Sequence, residues 1–244
     1  MKIKLIIMSC LSLTVFAQDW NFSLGVKFWP SNFETSRADG EQTRTGDGSG
    51  SVGGLSMALT REKLTFALTA MTDISEYTPF NAEDSGFDQK YKKEDYDFTV
   101  NYSFSTHFGA NIGYKRVVSN ADNRLSDGTF VSSRDFDMNG LIVGGFWKHQ
   151  LESVPLVFSA GIGYGFLSTS DIQVSAPGVD FSLDTDDASG IMWEAGANYV
   201  VSRVVLSLTY KFQDFKYDVN LDDSTSYETK DQLGGFQLGV RYHF

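Results

Sequence analysis

The chain has 244 residues, 41% of them hydrophobic and 14% aromatic, with 31 acidic against 20 basic side chains and a formal charge of −11. It is too apolar and aromatic for a disordered chain, and too acidic for a general binder of nucleic-acid backbone. A single cysteine permits neither a disulfide framework nor a cysteine-built zinc site, and beyond the first twenty residues no apolar run reaches the roughly eighteen residues of a membrane helix.

Lys2 and Lys4 precede an apolar stretch, Leu5 to Phe16, and Val15-Phe16-Ala17 offers a cleavage site with Val at −3 and Ala at −1. This is the layout of a secretory signal peptide over residues 1–17. Cys10 lies inside it, so the exported part, 18–244, is expected to carry no cysteine. Its balance is 18 basic against 31 acidic residues, a charge of −13.

From Trp20 onward the dominant signal is period two. Trp20, Phe22, Leu24, Val26 and Phe28 alternate with Asn21, Ser23, Gly25 and Lys27. Leu64, Phe66 and Leu68 alternate with Thr65, Ala67 and Thr69; Tyr96, Phe98, Val100 and Tyr102 alternate with Asp97, Thr99 and Asn101. Similar segments centre near 55, 112, 142, 161, 195, 208 and 238, which makes ten candidate strands, with eight or twelve as alternatives. Short connections fall near Arg61-Glu62, Ser105 to His107, Gln150 to Val154 and Ser202-Arg203. Long ones, rich in Gly, Ser, Asp and Asn, fall near 32–49, 75–93, 118–134, 169–188 and 217–230.

One face of these segments is aromatic and aliphatic, the other small and polar. A closed barrel of about ten strands has a narrow interior that suits the second face, and lipid outside suits the first. Lipid also forbids an open sheet edge, because every backbone group must be paired. An all-β, closed antiparallel transmembrane barrel over 18–244 follows, with short turns at one end and long loops at the other. Trp20, Trp29, Tyr114, Trp193 and Tyr199 are placed as interfacial girdle residues. The chain ends Gln237-Leu-Gly239-Val-Arg-Tyr242-His-Phe244. This pattern resembles the carboxy-terminal assembly signal of Gram-negative outer-membrane barrels of the small porin-like or opacity-like kind. The resemblance implies recognition of Gln237, Gly239, Tyr242 and Phe244 by the barrel-assembly machinery, an outer-membrane location, and lipid and lipopolysaccharide as surroundings.

Turn-set registers place side chains in the lumen. A connection centred on Thr106 sets Asp97 opposite Lys115, and a two-residue turn at Ser202-Arg203 sets Glu194 opposite Lys211. Lys27, Asp73, Asp137 and Arg241 are further inward charges. The near-balance of signs among these groups favours a salt-bridged plug over a pore lined by one sign. Ten strands is also the count of the omptin proteases, and that resemblance implies an Asp pair and an Asp-His pair at the outer rim. His107, His149 and His243 all fall instead at the short-turn side or chain end, so no catalytic residue is assigned. The acidic segments holding Asp171, Asp180, Asp184, Asp186 and Asp187, and Asp218, Asp222, Asp223 and Glu228, invite calcium, with Asp184, Asp186 and Asp187 as weak candidates. They lack the glycine and distal glutamate of a dedicated calcium loop, and no metal or other cofactor is expected. Gly46-Asp-Gly48-Ser-Gly50 reads as a flexible loop. Lys90, Lys92 and Lys93 form a small basic patch within reach of lipopolysaccharide phosphates. The expectation is a non-enzymatic outer-membrane barrel with a narrow, charge-plugged lumen and outer loops for surface contact or envelope integrity; a small-solute channel is the alternative, an outer-membrane enzyme the third reading.

Overall fold

The computed structural model describes residues 20–39, 42–79, 87–125, 127–222 and 225–244, so the expected leader, 1–17, lies outside the described residues. The strands are β1 (Asn21–Asp39), β2 (Gln42–Arg61), β3 (Leu64–Pro79), β4 (Phe87–Ser103), β5 (Phe108–Leu125), β6 (Phe130–Gln150), β7 (Leu156–Thr169), β8 (Ile172–Ala176), β9 (Val179–Thr185), β10 (Ala188–Val201), β11 (Val204–Asp222) and β12 (Thr225–His243). Ten of them close a ring. β1 through β7 pair as antiparallel neighbours, β7 pairs β10, β10 pairs β11, β11 pairs β12, and β12 returns to β1.

The other two strands, β8 and β9, correct the expected loop at 169–188. β8 lies on β6 and β9 on β11. Leu167 faces Ala188 across β7–β10, and Ile172 faces Leu183 across β8–β9 in the same register. β8 and β9 therefore continue β7 and β10 beyond a break on each side. Against β6, Met138 pairs Thr169 but Ser133 pairs Ser175, so one extra residue is accommodated near Ser170-Asp171. This is a β-bulge. The wall then rises to a tight turn at Pro177-Gly178, where Gly178 takes a positive φ of 81° that glycine adopts without steric cost.

The other long connections are likewise mostly strand. β1 and β2 pair out to Asp39 and Gln42, and β11 and β12 out to Asp222 and Thr225. β1 has 19 residues and β6 has 21, about twice the 9–11 that cross a membrane. Half of each such strand therefore stands clear of the lipid. The short-turn end is tight, as expected, with turns at Glu62-Lys63 (one residue along from the expected position) and Ser202-Arg203. Glu62 and Ser202 both carry positive φ.

The side-chain pattern explains why the barrel stands where it does. On β11, Leu206, Leu208, Tyr210 and Phe212 point outward, and Ser207, Thr209, Lys211 and Gln213 inward. Beyond Phe212 the parity is kept but the chemistry exchanges. Asp214, Lys216, Asp218 and Asn220 now face out, while Phe215, Tyr217 and Val219 are buried inside. β1 repeats the exchange: Phe22, Leu24, Val26 and Phe28 form part of the outer belt, and Trp29 and Phe33 then fill the interior. On β6, Leu141 and Val143 belong to the belt, and Met138 and Phe136 to the interior. The belt itself is bare: Val26 is 55% exposed, Leu55 57% and Ile162 62%. Such a band suits lipid and not water.

Two apolar clusters thus occupy the tall half of the barrel. One joins Val117, Phe136, Met138, Leu167, Phe215 and Tyr217; the other joins Trp29, Phe33, Val52, Met71, Tyr77 and Leu233. Trp29 is fully buried, which corrects its expected place in the outer girdle. Gly50 is part of β2 and not of a flexible loop; a Cβ there would come within 2.6 Å of Tyr77 Cγ, so glycine makes room for the ring.

Phe215→Ala removes a large group from a closed core and should lower unfolding stability in micelles by about 3–5 kcal/mol. Leu208→Ala, on the belt, should cost clearly less, because detergent or lipid replaces its contacts. Equal losses in chemical unfolding would contradict this assignment of inside and outside.

Candidate functional site: charges and cavities of the lumen

At the level where the faces exchange, β4, β5 and β11 bring four charges together. Across the ladders Asp97 faces Lys115 and Glu194 faces Lys211. Lys115 Nζ donates to both oxygens of Asp95 at 2.9 Å and to Asp97 Oδ1 at 2.8 Å. All three ammonium hydrogens are thereby used. Lys211 Nζ lies 3.1 Å from Asp97 Oδ2 and 3.5 Å from Asp95 Oδ1. It also sits 4.9 Å from the centre of the Trp29 ring, a cation–π placement. Gln213 Nε2 donates to Asp95 Oδ2 at 2.8 Å. Two lysines and two aspartates make a neutral cluster, and the Lys115 side chain has no exposed surface at all.

Asp95, two residues before Asp97 on β4, joins the cluster without having been singled out by the sequence. It is the deepest carboxylate of the cluster, 2% exposed, and its neighbours come from three strands. Lys211 turns away from Glu194, with which it forms no ion pair among the described residues, and joins the aspartates instead. Lys27 and Arg241 line the chamber below the cluster. Asp73 lies opposite Val52, half-buried, and accepts a hydrogen bond from Thr72 Oγ1 at 3.3 Å. Asp137 does not face inward. It shares the parity of Leu141 and Val143, and it accepts hydrogen bonds from Arg116 Nε at 2.8 Å and Nη2 at 2.5 Å on the outer surface. Phe136 and Met138 take the inward places beside it.

Above the cluster a polar thread joins the two apolar groups. Thr35 Oγ1 donates to Asp231 Oδ1 at 2.6 Å, Tyr217 Oη donates to Asp231 Oδ2 at 3.1 Å, and Arg134 Nη2 donates to Tyr217 Oη at 3.4 Å. Burial, reinforced by Asp231, holds the Tyr217 hydroxyl well above its ordinary pKa, so it remains a donor. Burial also pushes Tyr77 up to about 12, and its hydroxyl meets Ser31 Oγ at 2.6 Å. Lys93 belongs to this interior, 8% exposed and 5.5 Å from the Phe33 ring. The expected basic patch is therefore reduced to Lys90 and Lys92, each near Glu76. A void here, lined by Phe33, Lys93, Phe136 and Asp231 among others, measures about 20 Å³, about the room one water needs.

The remaining predicted sites are dispersed. Asn220 Nδ2 reaches Asp184 Oδ2 at 3.3 Å and Asp186 Oδ1 at 3.4 Å. Among the described residues no three acidic, histidine or cysteine side chains gather in a metal-holding group. His107 and His149 sit 5.4 Å apart at the short-turn end, and His107 Nδ1 lies 3.1 Å from the Lys148 carbonyl oxygen. At the carboxy terminus, Gln237 and Gly239 face the lumen. Tyr242 and Phe244 face outward with rings 5.0 Å apart, and Phe244 lies 5.4 Å from Phe22.

Ring closure, outward belt, neighbour-to-neighbour pairing and short turns at one end settle the architecture. It is a β-barrel of the outer-membrane type. No family model and no curated protein matches the chain. Solved structures similar to it include the translocator domain of the autotransporter NalP from Neisseria meningitidis, at 13% identity over 90% of this chain and 88% of that one, TM-score 0.49. The outer-membrane protein OprG from Pseudomonas aeruginosa matches at 10% identity over 93% and 95%, TM-score 0.47. Ail, the attachment invasion locus protein of Yersinia pestis, matches at 11% over 93% and 100%, TM-score 0.34.

Removing one partner of a buried ion cluster leaves uncompensated charge. Lys115→Ala, which strands two carboxylates, should cost about 3–5 kcal/mol of unfolding stability. The double change Lys115→Met, Asp95→Asn removes one charge of each sign, leaves Lys211 paired with Asp97, and should restore much of it. A Lys115→Ala protein as stable as the parent in urea would show that the cluster is hydrated and open.

Proposed function

We propose that the protein is a non-enzymatic barrel of the Gram-negative outer membrane whose lumen is closed toward the cell exterior and whose tall strands present a rigid outer surface for contact or envelope integrity. The observation that carries this reading is Lys115, fully buried and saturated by Asp95 and Asp97, directly beneath a packed apolar core. A conducting path would have to pass both layers. Hydrated ions do not cross a packed apolar layer, and such constrictions gate by losing water.

The surface offered is mostly paired strand, with Pro177-Gly178 and Gly128 at turn positions, so it is a stiffer platform than a set of free loops. Lipid and lipopolysaccharide surround the belt in this reading, and the carboxy-terminal strand, with Tyr242 and Phe244 outward, serves the assembly machinery.

The test is planar-bilayer recording of the refolded chain. No discrete conductance steps are expected from the parent protein, and Lys115→Ala should stay silent because the apolar clusters above it remain. Reproducible single-channel steps from the parent protein would favour the small-solute channel and overturn the sealed-lumen reading.

A further inference from the structure

The charged groups of the lumen fall into two sets with different treatment. Those of the upper cluster are mutually saturated. Those below it are not: Lys27, Glu194 and Arg241 line one cavity of about 180 Å³, and among the described residues none of the three side chains has a hydrogen bond or ion pair. The Nε of Arg241 is shielded from solvent and has no acceptor. An unpaired buried donor on a charged group is costly, and a cation withdrawn from water calls for an anionic partner.

The strands bring the two cations together. Gly25 pairs Arg241, and Lys27, two residues on, pairs Gly239. Arg241 and Lys27 are thus diagonal neighbours on the inner wall, about 7–8 Å apart along the sheet, within reach of one small ligand by their long side chains. Glycine at 25 and 239 lets the two cations lie close on the wall: a Cβ at Gly25 would come within 3.0 Å of Arg241 Cβ, and one at Gly239 within 3.7 Å of Lys27 Cγ. The rest of the lining supplies neutral hydrogen-bonding groups, among them Ser56, Asn198, Ser207 and Gln237. Two cations against one carboxylate give a locally positive chamber inside a chain that is strongly acidic overall. The guanidinium fork in particular matches the paired oxygens of a carboxylate or phosphate.

We propose that this chamber binds a small oxyanion, a phosphate or a carboxylate, between Lys27 and Arg241. The cavity lies toward the short-turn end, with Asn198 and Val205 beside the Ser202-Arg203 turn, and the sealed cluster stands above it. On this placement a ligand enters by the short-turn end. Its supply from the periplasm rests on the orientation proposed above; the binding itself does not.

The experiment is isothermal titration of inorganic phosphate, and separately of acetate, into the refolded full chain in a non-ionic detergent at low ionic strength. Saturable one-site binding of at least one anion is expected, weakening as chloride is raised. Arg241→Gln and Lys27→Gln should each weaken it about tenfold or more, the loss of a charge-assisted hydrogen bond. Glu194→Gln should tighten it several-fold by removing the like charge. Should Arg241→Gln fail to refold, Lys27→Gln and Glu194→Gln carry the test with opposite signs. No saturable binding of either anion, or binding indifferent to Lys27→Gln and Glu194→Gln, would overturn the proposal. A barrel that binds phosphate yet conducts would refute the seal and leave the chamber standing.

Discussion

Every strand of this barrel obeys one constraint: backbone pairing fixes which side chains point in and which point out, and that parity cannot change along a strand without a bulge. The surroundings change halfway up. The outer face passes from hydrocarbon to water, so the outward residues pass from Leu206, Leu208 and Phe212 to Asp214, Lys216 and Asp218. Above that level water is available outside, and apolar burial can hold the tall half together from within. Phe215, Tyr217 and Val219 then pack as the core of a soluble sheet protein would. The barrel is in effect two proteins stacked on one set of strands, one turned inside out relative to the other.

The charged cluster sits at the junction. Below it the interior is small and polar; above it the interior is apolar. Burying charge in such a place is expensive unless partners are complete. Lys115, Lys211, Asp95, Asp97 and Gln213 meet that condition with short hydrogen bonds from three strands. The cluster also fixes register, since a one-residue slip of β4 against β5 would turn Asp95 and Asp97 toward lipid. Cost and specificity are thus joined: the cluster is built from groups that tolerate only one pairing of the wall.

The belt and the turn-side lumen were legible in the sequence because their alternation is regular and the turns are short. Ser202-Arg203 and the connection around Thr106 fixed the pairing of Glu194 with Lys211 and of Asp97 with Lys115. The tall half was harder to read. Its polar outward residues, such as Asp214 and Lys216, look like loop composition, so segments such as 169–188 and 217–230 read as loops in the sequence. Yet the signal was present on β11, where apolar residues move from even positions, 206 to 212, to odd ones, 215 to 219. A change of phase without intervening turn residues marks an exchange of environment, not the end of a strand. Trp29 and Asp137 were misplaced for the same reason, since each lies at the level where the meaning of parity reverses. What no pattern revealed was the gathering of Asp95 and Lys211 around Lys115, which depends on contacts across the lumen between strands distant in sequence.

The most direct test of this exchange is a nitroxide scan along β11 from 206 to 219 in lipid bilayers, comparing relaxation by oxygen with relaxation by a water-soluble nickel reagent. Outward positions 206, 208, 210 and 212 should favour oxygen, and 214, 216 and 218 should favour nickel. Positions 215, 217 and 219 should be shielded from both. Oxygen preference continuing along the even positions past 214, or nickel reaching 215, 217 and 219, would contradict the account.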